Sequence, residues 1–210
     1  MKAVSIEVPD EVIRERRLHD IDRWDEMWNG RMRLRLPPDW ERQRINGHLA
    51  LFFADHWGRL GEGLTASQVG VKAPGTPDIE VAGELVPRTY KVPDQVFLLK
   101  GHEDRVQGGW VVGAPDAVIE VRSPGDETYK KFPFYYSLGI PEVIVMHRDT
   151  KAVEVYVRGA EEYDRVPTDA DGSVTSRILD TTFRTELDPG SKQPVLRLRR
   201  LRLPDREGSV

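Results

Sequence analysis

The segment from Asp116 to Met146, DAVIEVRSPGDETYKKFPFYYSLGIPEVIVM, constrains the fold more than any other part of the chain. It reads as an apolar strand, a polar turn, a helix and a second apolar strand. The first strand, DAVIEV, is apolar on both faces except at its ends, which is typical of a central strand covered on both sides. Because side chains alternate along a strand, Glu120 shares a face with Val118 and Arg122 and is partly buried.

A buried carboxylate at Glu120 makes this residue a candidate functional group, because an ionised carboxylate is costly there unless it is paired or bound to a cation. One interpretation pairs Glu120 with Arg122 or with an arginine of a neighbouring strand. The other joins it to Asp94, which begins the apolar strand QVFLL and meets Glu120 if the two strands are neighbours. Asp78 is the rival of Asp94, and we prefer Asp94 because QVFLL is a stronger core strand than IEVAG.

Two such carboxylates and one backbone carbonyl would suit a divalent metal ion. Asp94, Glu120 and the carbonyl of Val121 offer the hard oxygen ligands that Mg²⁺ or Mn²⁺ prefers, with positions left for water and a phosphate. Lys131 lies near the start of the following helix, on the same face as Tyr135. Its amine is predicted to reach the carboxylates and to assist an attacking water. The alternative is a lysine that extends into solvent.

The other elements follow from local signals. A short helix is expected from Asp10, a hairpin at Asn29-Gly30, and a long helix capped by Asp39 that packs through Ile45, Leu49, Phe52 and His56. The dipeptide Asn46-Gly47 weighs against that helix. Residues 64–100 are expected to form a meandering sheet, two strands to meet at Asp149-Thr150, and further strands to lie near the C-terminus, with the final PDREGSV frayed.

Composition bounds the classes of function. A chain of 210 residues with 39% hydrophobic content predicts one domain. The absence of cysteine excludes thiol chemistry, the five histidines lack zinc-site spacing, and no glycine-rich phosphate loop occurs. No segment is long and apolar enough for a membrane span, so a soluble, cytoplasmic protein is expected.

A net charge of −4 gives no general attraction to nucleic acid, so binding would depend on local basic patches. Two runs alternate basic and apolar residues, RMRLRLPP from Arg31 and VLRLRRLRLP from Val195. The simpler interpretation of both runs is an amphipathic strand whose arginines lie in water.

The order of Asp94, Glu120 in PDAVIEVRSPGD, Lys131 in KKFPFYYSLGIPEVIV and then DTKAVEVY resembles the Uma-two family of restriction endonucleases, within the PD-(D/E)xK nuclease superfamily. The stretches RWDEMWNG and ERQRINGHLA are similar to the opening hairpin and first long helix of that family. The resemblance covers roughly residues 22–160, and EVRSPGDETYKKFPFYYSLGIPE is its most specific part. It implies a single restriction-endonuclease-like domain over residues 1–210, with its core at about 22–160 and a C-terminal β extension at 161–210.

The resemblance implies an α/β (α+β) fold, with a restriction-endonuclease-like mixed β-sheet core flanked by helices, an N-terminal hairpin and extra C-terminal strands. It implies Asp94 and Glu120 as metal ligands, Lys131 as the catalytic lysine and Glu26 as an additional acid. The sequence departs from the pattern at Arg122, which takes the lysine position of the Glu-Xaa-Lys motif and cannot accept a proton. It departs again at Arg42, where many relatives have a histidine.

The leading hypothesis is therefore a Mg²⁺-dependent phosphodiesterase that cuts DNA, as a homodimer because two strands must be cut. The main alternative is a catalytically silent module that keeps the nuclease fold and binds nucleic acid or protein. A third is a structural protein whose buried acids are only ion-paired.

Overall fold

The computed structural model describes residues 8–202 and 207–210. Its helices are α1 (Asp10–Leu18), α2 (Trp40–Phe53) and α3 (Phe132–Leu138). The strands are β1 (Glu26–Trp28), β2 (Arg31–Arg33), β3 (Gly63–Ser67), β4 (Val71–Lys72), β5 (Asp78–Val81), β6 (Glu84–Pro87), β7 (Gln95–Leu99), β8 (Val106–Gln107), β9 (Trp110–Val112), β10 (Ala117–Arg122), β11 (Glu142–His147), β12 (Val153–Arg158), β13 (Tyr163–Arg165), β14 (Ser173–Ser176), β15 (Thr181–Leu187), β16 (Pro194–Arg200) and β17 (Glu207–Ser209). Within the described residues, no helix is both long enough and apolar enough to cross a membrane.

A six-stranded mixed sheet organises the fold, in the order β13-β12-β11-β10-β7-β3. Strands β10 and β11 are parallel and are joined through α3, whereas the other neighbours are antiparallel. The predicted alternation of β10 is confirmed. Ile119 and Val121 pack in the core with α2, and Val118 packs on the opposite face with Tyr135 of α3.

The local signals at the ends of the elements are also confirmed. Asn29 and Gly30 have φ values of 51° and 80°, as a two-residue hairpin turn requires. The side chain of Asp39 accepts a hydrogen bond of 2.9 Å from the amide of Arg42 and caps α2. Gly139 ends α3 in the left-handed conformation, with φ 83°.

The expected meander over residues 64–100 is wrong in part. Strands form there, but they belong to three different sheets: β3 and β7 lie in the main sheet, β4 pairs with β9, and β5 pairs with β6 as a separate hairpin. The partner strand β9 comes later in the chain, so the apolar runs alone do not reveal the division.

The C-terminal strands form a second sheet, in the order β14-β15-β16-β17, which packs on the α2 side of the main sheet. Phe183, Leu198 and Val210 lie in the same apolar cluster as α2 and β10. The expectation of a frayed end is wrong for residues 207–210, because β17 pairs with β16 and Val210 is buried. Residues 204–206 of that prediction lie outside the described residues.

The prediction that the arginines of the second basic run lie in water is wrong for Arg200. Arg200 of β16 is fully buried. Its guanidinium donates to the backbone oxygen of His56 and to the carboxylates of Glu62 and Asp180, which offsets the cost of burying its charge. Arg199 on the same strand is exposed. The run is therefore an amphipathic strand with one arginine turned into the interior.

Glu142 connects the two sheets and gives a pH-dependent contribution to stability. This buried carboxylate at the start of β11 accepts a hydrogen bond from the hydroxyl of Ser176 in β14. Burial raises the pKa of Glu142 from 4.5 to about 7, although the hydrogen bond from Ser176 opposes that rise. Between those two pH values the folded state therefore holds a proton that the unfolded chain has lost.

We expect the free energy of unfolding to fall as pH rises from about 4.5 to about 7, by on the order of 3 kcal/mol from this residue. The variant Glu142→Gln carries no titrating group there and should show a flatter profile. Urea unfolding at several pH values measures both proteins. Equal pH dependence in the two proteins would contradict the assignment.

Candidate active site

Asp94 and Glu120 lie side by side because their strands pair. Gln95 of β7 pairs with Ile119 of the antiparallel β10, so Asp94 is brought to the level of Glu120. The backbone amide of Val121 donates a hydrogen bond of 2.7 Å to the Oδ2 atom of Asp94. Its rival Asp78 is exposed on β5, in a separate hairpin. The pair that forms is therefore Asp94 with Glu120.

Lys131 is bound to Glu120 in the interior. Its Nζ atom lies 2.8 and 3.0 Å from the two carboxylate oxygens of Glu120, and the hydroxyl of Tyr135 donates to the same carboxylate. Lys131 is 3% exposed, so the interpretation that it extends into solvent is wrong. The pairing of Glu120 with Arg122 is also wrong, because Arg122 bonds to the ring of His147.

Glu26 of β1 completes the acid cluster. Lys131 lies 2.7 Å from its Oε1 atom, so one ammonium group bridges Glu26 and Glu120. Arg35 donates to the same oxygen at 3.2 Å, and the backbone amide of Val92 at 3.0 Å. The indole of Trp28 donates to the other oxygen at 3.0 Å. The N-terminal hairpin therefore supplies a third carboxylate.

Asp94 has a full set of hydrogen-bond donors. Arg42 donates to both of its oxygens, at 2.7 Å from Nη2 and 3.3 Å from Nε. Asn46 donates at 3.0 Å, and the amide of Val121 makes the fourth bond. Two carboxylate oxygens accept about four hydrogen bonds, so Asp94 is saturated in this arrangement.

The three carboxylates face three cationic groups, those of Arg35, Arg42 and Lys131, and they titrate differently. Burial would raise the pKa of Glu26, but Lys131 and Arg35 lower it to about 2. Burial also opposes ionisation of Asp94, yet Arg42 lowers its pKa below the usual range. For Glu120 burial prevails, because Asp94 and Glu26 are nearby, and its pKa is raised despite Lys131.

Lys91 is a second buried lysine near Glu26, and its pKa is lower than that of an ordinary lysine. Its Nζ atom lies 3.7 Å from the centre of the Trp28 ring and donates to the backbone oxygen of Met27. Burial lowers the pKa of Lys91 to about 7, although Glu26 raises it. The ammonium and the free amine are therefore both populated near neutral pH.

A cleft of about 740 Å³ opens over the cluster. Its polar lining comprises Glu26, Arg33, Arg35, Asp39, Arg42, Ser123, Asp126, Glu127, Thr128, Lys131 and Arg148. Asp94 instead lines a narrower pocket of about 10 Å³, the room of one water-sized group, and Arg35 and Arg42 line both spaces. The arginines therefore stand between the open cleft and Asp94.

Several residues of the site carry no sequence signal for their roles. Arg35 lies in a run that indicates a solvent-exposed strand, and Asn46 counts as a weak point of its helix. Tyr135 is recognisable only as a neighbour of Lys131 on one helix face. The sequence marks Arg42 only as a departure from the histidine of many relatives.

The carboxylate oxygens of the site are ligands of the chemical type that a hard divalent ion prefers. Asp94 and Glu120 supply carboxylate oxygens from adjacent strands, whereas the role of the Val121 carbonyl stays a prediction. The described residues contain no group of three histidine, cysteine or acidic side chains arranged to hold a metal. Because Asp94 is saturated, an ion can reach its oxygens only when one of the present donors withdraws.

The mixed sheet and the cluster of acids with one lysine define a protein of the restriction-endonuclease-like fold. A model of the Uma2 family, described as "Putative restriction endonuclease", matches residues 13–188. The chain belongs to this family, as its motifs suggested, and family and fold together indicate a nuclease. No curated protein matches the chain in sequence.

A solved structure supports the fold independently. The crystal structure of "a putative nuclease belonging to DUF820" from Anabaena variabilis superposes with a TM-score of 0.56. The match covers 74% of this chain and 82% of that chain, at 15% sequence identity. At this identity the likeness shows the fold, and the predicted fold class is confirmed.

Proposed function

We propose that this protein is a Mg²⁺-dependent endonuclease that hydrolyses phosphodiester bonds of DNA in the cleft above Glu26 and Lys131. The observation that carries the proposal is the convergence of Glu26 and Glu120 on one buried lysine, Lys131, with Asp94 beside Glu120 on the neighbouring strand. Glu26 and Lys131 both line the cleft. Membership of a family described as restriction endonucleases supports the same reaction class.

Asp94 and Glu120, with the carbonyl of Val121, would hold the ion. When bound there, Mg²⁺ or Mn²⁺ would supply Lewis-acid chemistry, lowering the pKa of water and neutralising charge on the phosphoryl group. Lys131 is held between Glu26 and Glu120 and also lines the cleft, so its ammonium can orient water and offset the negative charge that develops on phosphorus.

The arginines of the cleft suit a phosphate backbone. Arg33, Arg35 and Arg148 line it, and a guanidinium binds phosphate through two parallel hydrogen bonds. The chain as a whole carries a net charge of −4, and acidic residues line the same cleft, so binding would depend on direct contacts between these guanidinium groups and phosphate rather than on general attraction. A homodimer remains the expected assembly, since two clefts would serve two strands.

The test of this function is cleavage of plasmid DNA with Mg²⁺ or Mn²⁺, and with EDTA as the metal-free reaction. We expect Asp94→Asn and Glu120→Gln each to lower the cleavage rate by at least about 100-fold, because each removes a charged ligand without changing side-chain shape. Asp78→Asn is the matched control, since Asp78 is exposed on a separate hairpin and should retain full activity. Equal activity of all three variants would refute the proposed site.

The saturation of Asp94 favours a second candidate function, the catalytically silent nuclease-fold module that binds nucleic acid or protein. In that case Arg42 would keep Asp94 permanently neutralised and DNA would bind without turnover. Wild-type protein would then bind duplex DNA equally well in Mg²⁺ and in EDTA and cleave none of it. Metal-dependent cleavage by clean wild-type protein would exclude this alternative.

A further inference from the structure

Arg42 separates the candidate metal ligand Asp94 from the cleft. The residue lies in the first turn of α2, and its guanidinium binds Asp94 through Nη2 at 2.7 Å and Nε at 3.3 Å. Its side chain is 13% exposed, compared with 4% for Asp94. The same side chain lines both the cleft and the narrow pocket of Asp94. The guanidinium is therefore accessible from the cleft while the carboxylate behind it is not.

Of the donors that saturate Asp94, Arg42 is the one that can withdraw without unfolding an element. The amide of Val121 is fixed in the central strand β10. Asn46 is 4% exposed within α2, and its short side chain has few alternative positions. Arg42 has a long, flexible side chain and already faces the cleft.

We propose that the guanidinium of Arg42 occupies Asp94 and excludes a divalent metal ion until a backbone phosphate of the nucleic acid binds this guanidinium instead. This inference rests on the proposed function and adds its regulation: metal binding is coupled to substrate binding. A guanidinium forms the same bidentate pair with phosphate as with carboxylate, so Arg42 loses no partner in the exchange. The carboxylate that it leaves then needs a new cation, because an unpaired buried charge is costly.

The first experiment measures metal binding without substrate. Mn²⁺ is titrated by calorimetry into wild-type protein, Arg42→Ala and the control Arg44→Ala. Among the described residues, Arg44 forms its ion pair with Glu41 of the same helix alone. We expect Arg42→Ala to bind Mn²⁺ at least about tenfold more tightly than wild type, because the ion no longer displaces an ion pair. Arg44→Ala should match wild type.

A second measurement guards against misfolding of the alanine variant. Arg42→Gln keeps the length of the side chain and removes the charge, and its thermal unfolding is followed with and without Mn²⁺. A ligand that binds only the folded state raises Tm, so Mn²⁺ should raise the Tm of Arg42→Gln more than that of wild type.

The third experiment tests the exchange with phosphate. Binding of a DNA duplex in EDTA is compared between wild type, Asp94→Asn, Arg42→Ala and the double variant Arg42→Ala/Asp94→Asn. Asp94→Asn releases Arg42 from its ion pair, so we expect about tenfold tighter DNA binding. If the gain comes from the released Arg42, Asp94→Asn should add no affinity in the Arg42→Ala background, whereas removal of a negative charge by itself would raise affinity there as well.

The outcomes distinguish this inference from the proposed function. If both Arg42 variants take up Mn²⁺ no better than wild type, or if Asp94→Asn raises DNA affinity as much in the Arg42→Ala background as in wild type, the inference is wrong whether or not the protein cleaves DNA. If metal binding improves in the variants and the gain in DNA affinity depends on Arg42, but wild type cleaves no DNA in any metal, the inference stands and the proposed function fails.

Discussion

Replacing Lys131 by methionine is expected to lower the free energy of unfolding by about 3–5 kcal/mol, the usual cost of removing one partner from a buried ion pair. Lys131 neutralises both Glu26 and Glu120, which are 2% and 0% exposed. Arg35 stays beside Glu26, but of the donors that the described residues offer to Glu120 only the hydroxyl of Tyr135 is left. The variant is therefore expected to bury an uncompensated charge, and urea unfolding measures the loss.

The pH dependence of this loss identifies its cause. Glu120 already has a raised pKa, because burial disfavours its charge, and without Lys131 its carboxyl will hold a proton to still higher pH. The Lys131→Met variant should therefore be less impaired at pH 5 than at pH 8. The double variant Lys131→Met/Glu120→Gln should recover part of the loss at pH 8, since it removes the charge that Lys131 left behind.

Lys130 provides the matched control for this prediction. It precedes Lys131, lies at the surface and, within the described part of the chain, pairs with Glu127 alone, so Lys130→Met should change stability by less than about 0.5 kcal/mol. Similar losses in the two methionine variants, or a loss that does not vary with pH, would show that the buried ammonium is not what stabilises the cluster.

The second large effect is expected from Phe183→Ala in the C-terminal sheet. Phe183 of β15 is 2% exposed and belongs to the apolar cluster that includes α2, β7 and β10. Truncating a buried phenylalanine removes its transfer free energy and leaves a cavity, which costs about 3–5 kcal/mol. Because the cluster spans both sheets, we expect one cooperative unfolding transition that moves as a whole to lower urea concentration.

Leu187 lies on the same strand but is 65% exposed, so Leu187→Ala should leave the transition close to that of wild type. Two separate transitions in wild type, with only one affected by Phe183→Ala, would mean that the C-terminal strands fold as an independent unit. The single domain predicted from the sequence would then be wrong.

Local rules predicted much of this structure. The alternation in DAVIEV placed Glu120 on the face opposite Ile119, and Asn29-Gly30 specified a hairpin that positions Glu26. Each of these signals depends on residues close in sequence, where the period of a strand or the φ angle of a turn decides the outcome. The strength of the QVFLL strand was also sufficient to prefer Asp94 over Asp78.

The pairings within the site could not be predicted in the same way. Arg42 and Asp94 are 52 residues apart, and no periodicity links a helix start to the residue before a strand. Asn46 illustrates the limit most clearly, because its low helix propensity counted against α2, whereas in the structure its amide binds Asp94. Tertiary contacts outweigh such local preferences, and only the assembled sheet reveals them.

Because β7 and β10 pair directly in the sheet, the distance between Asp94 and Glu120 does not depend on the length of the chain that connects the two strands. Between those strands the chain leaves the sheet to form β8 and β9, and it returns at Asp116, whose carboxylate accepts a hydrogen bond of 2.7 Å from the amide of Leu99. Insertions or deletions at the tip of that excursion, near Gly108 and Gly109, would leave the positions of Asp94 and Glu120 unchanged. During evolution this loop can therefore diversify in length while the chemistry beside it is preserved.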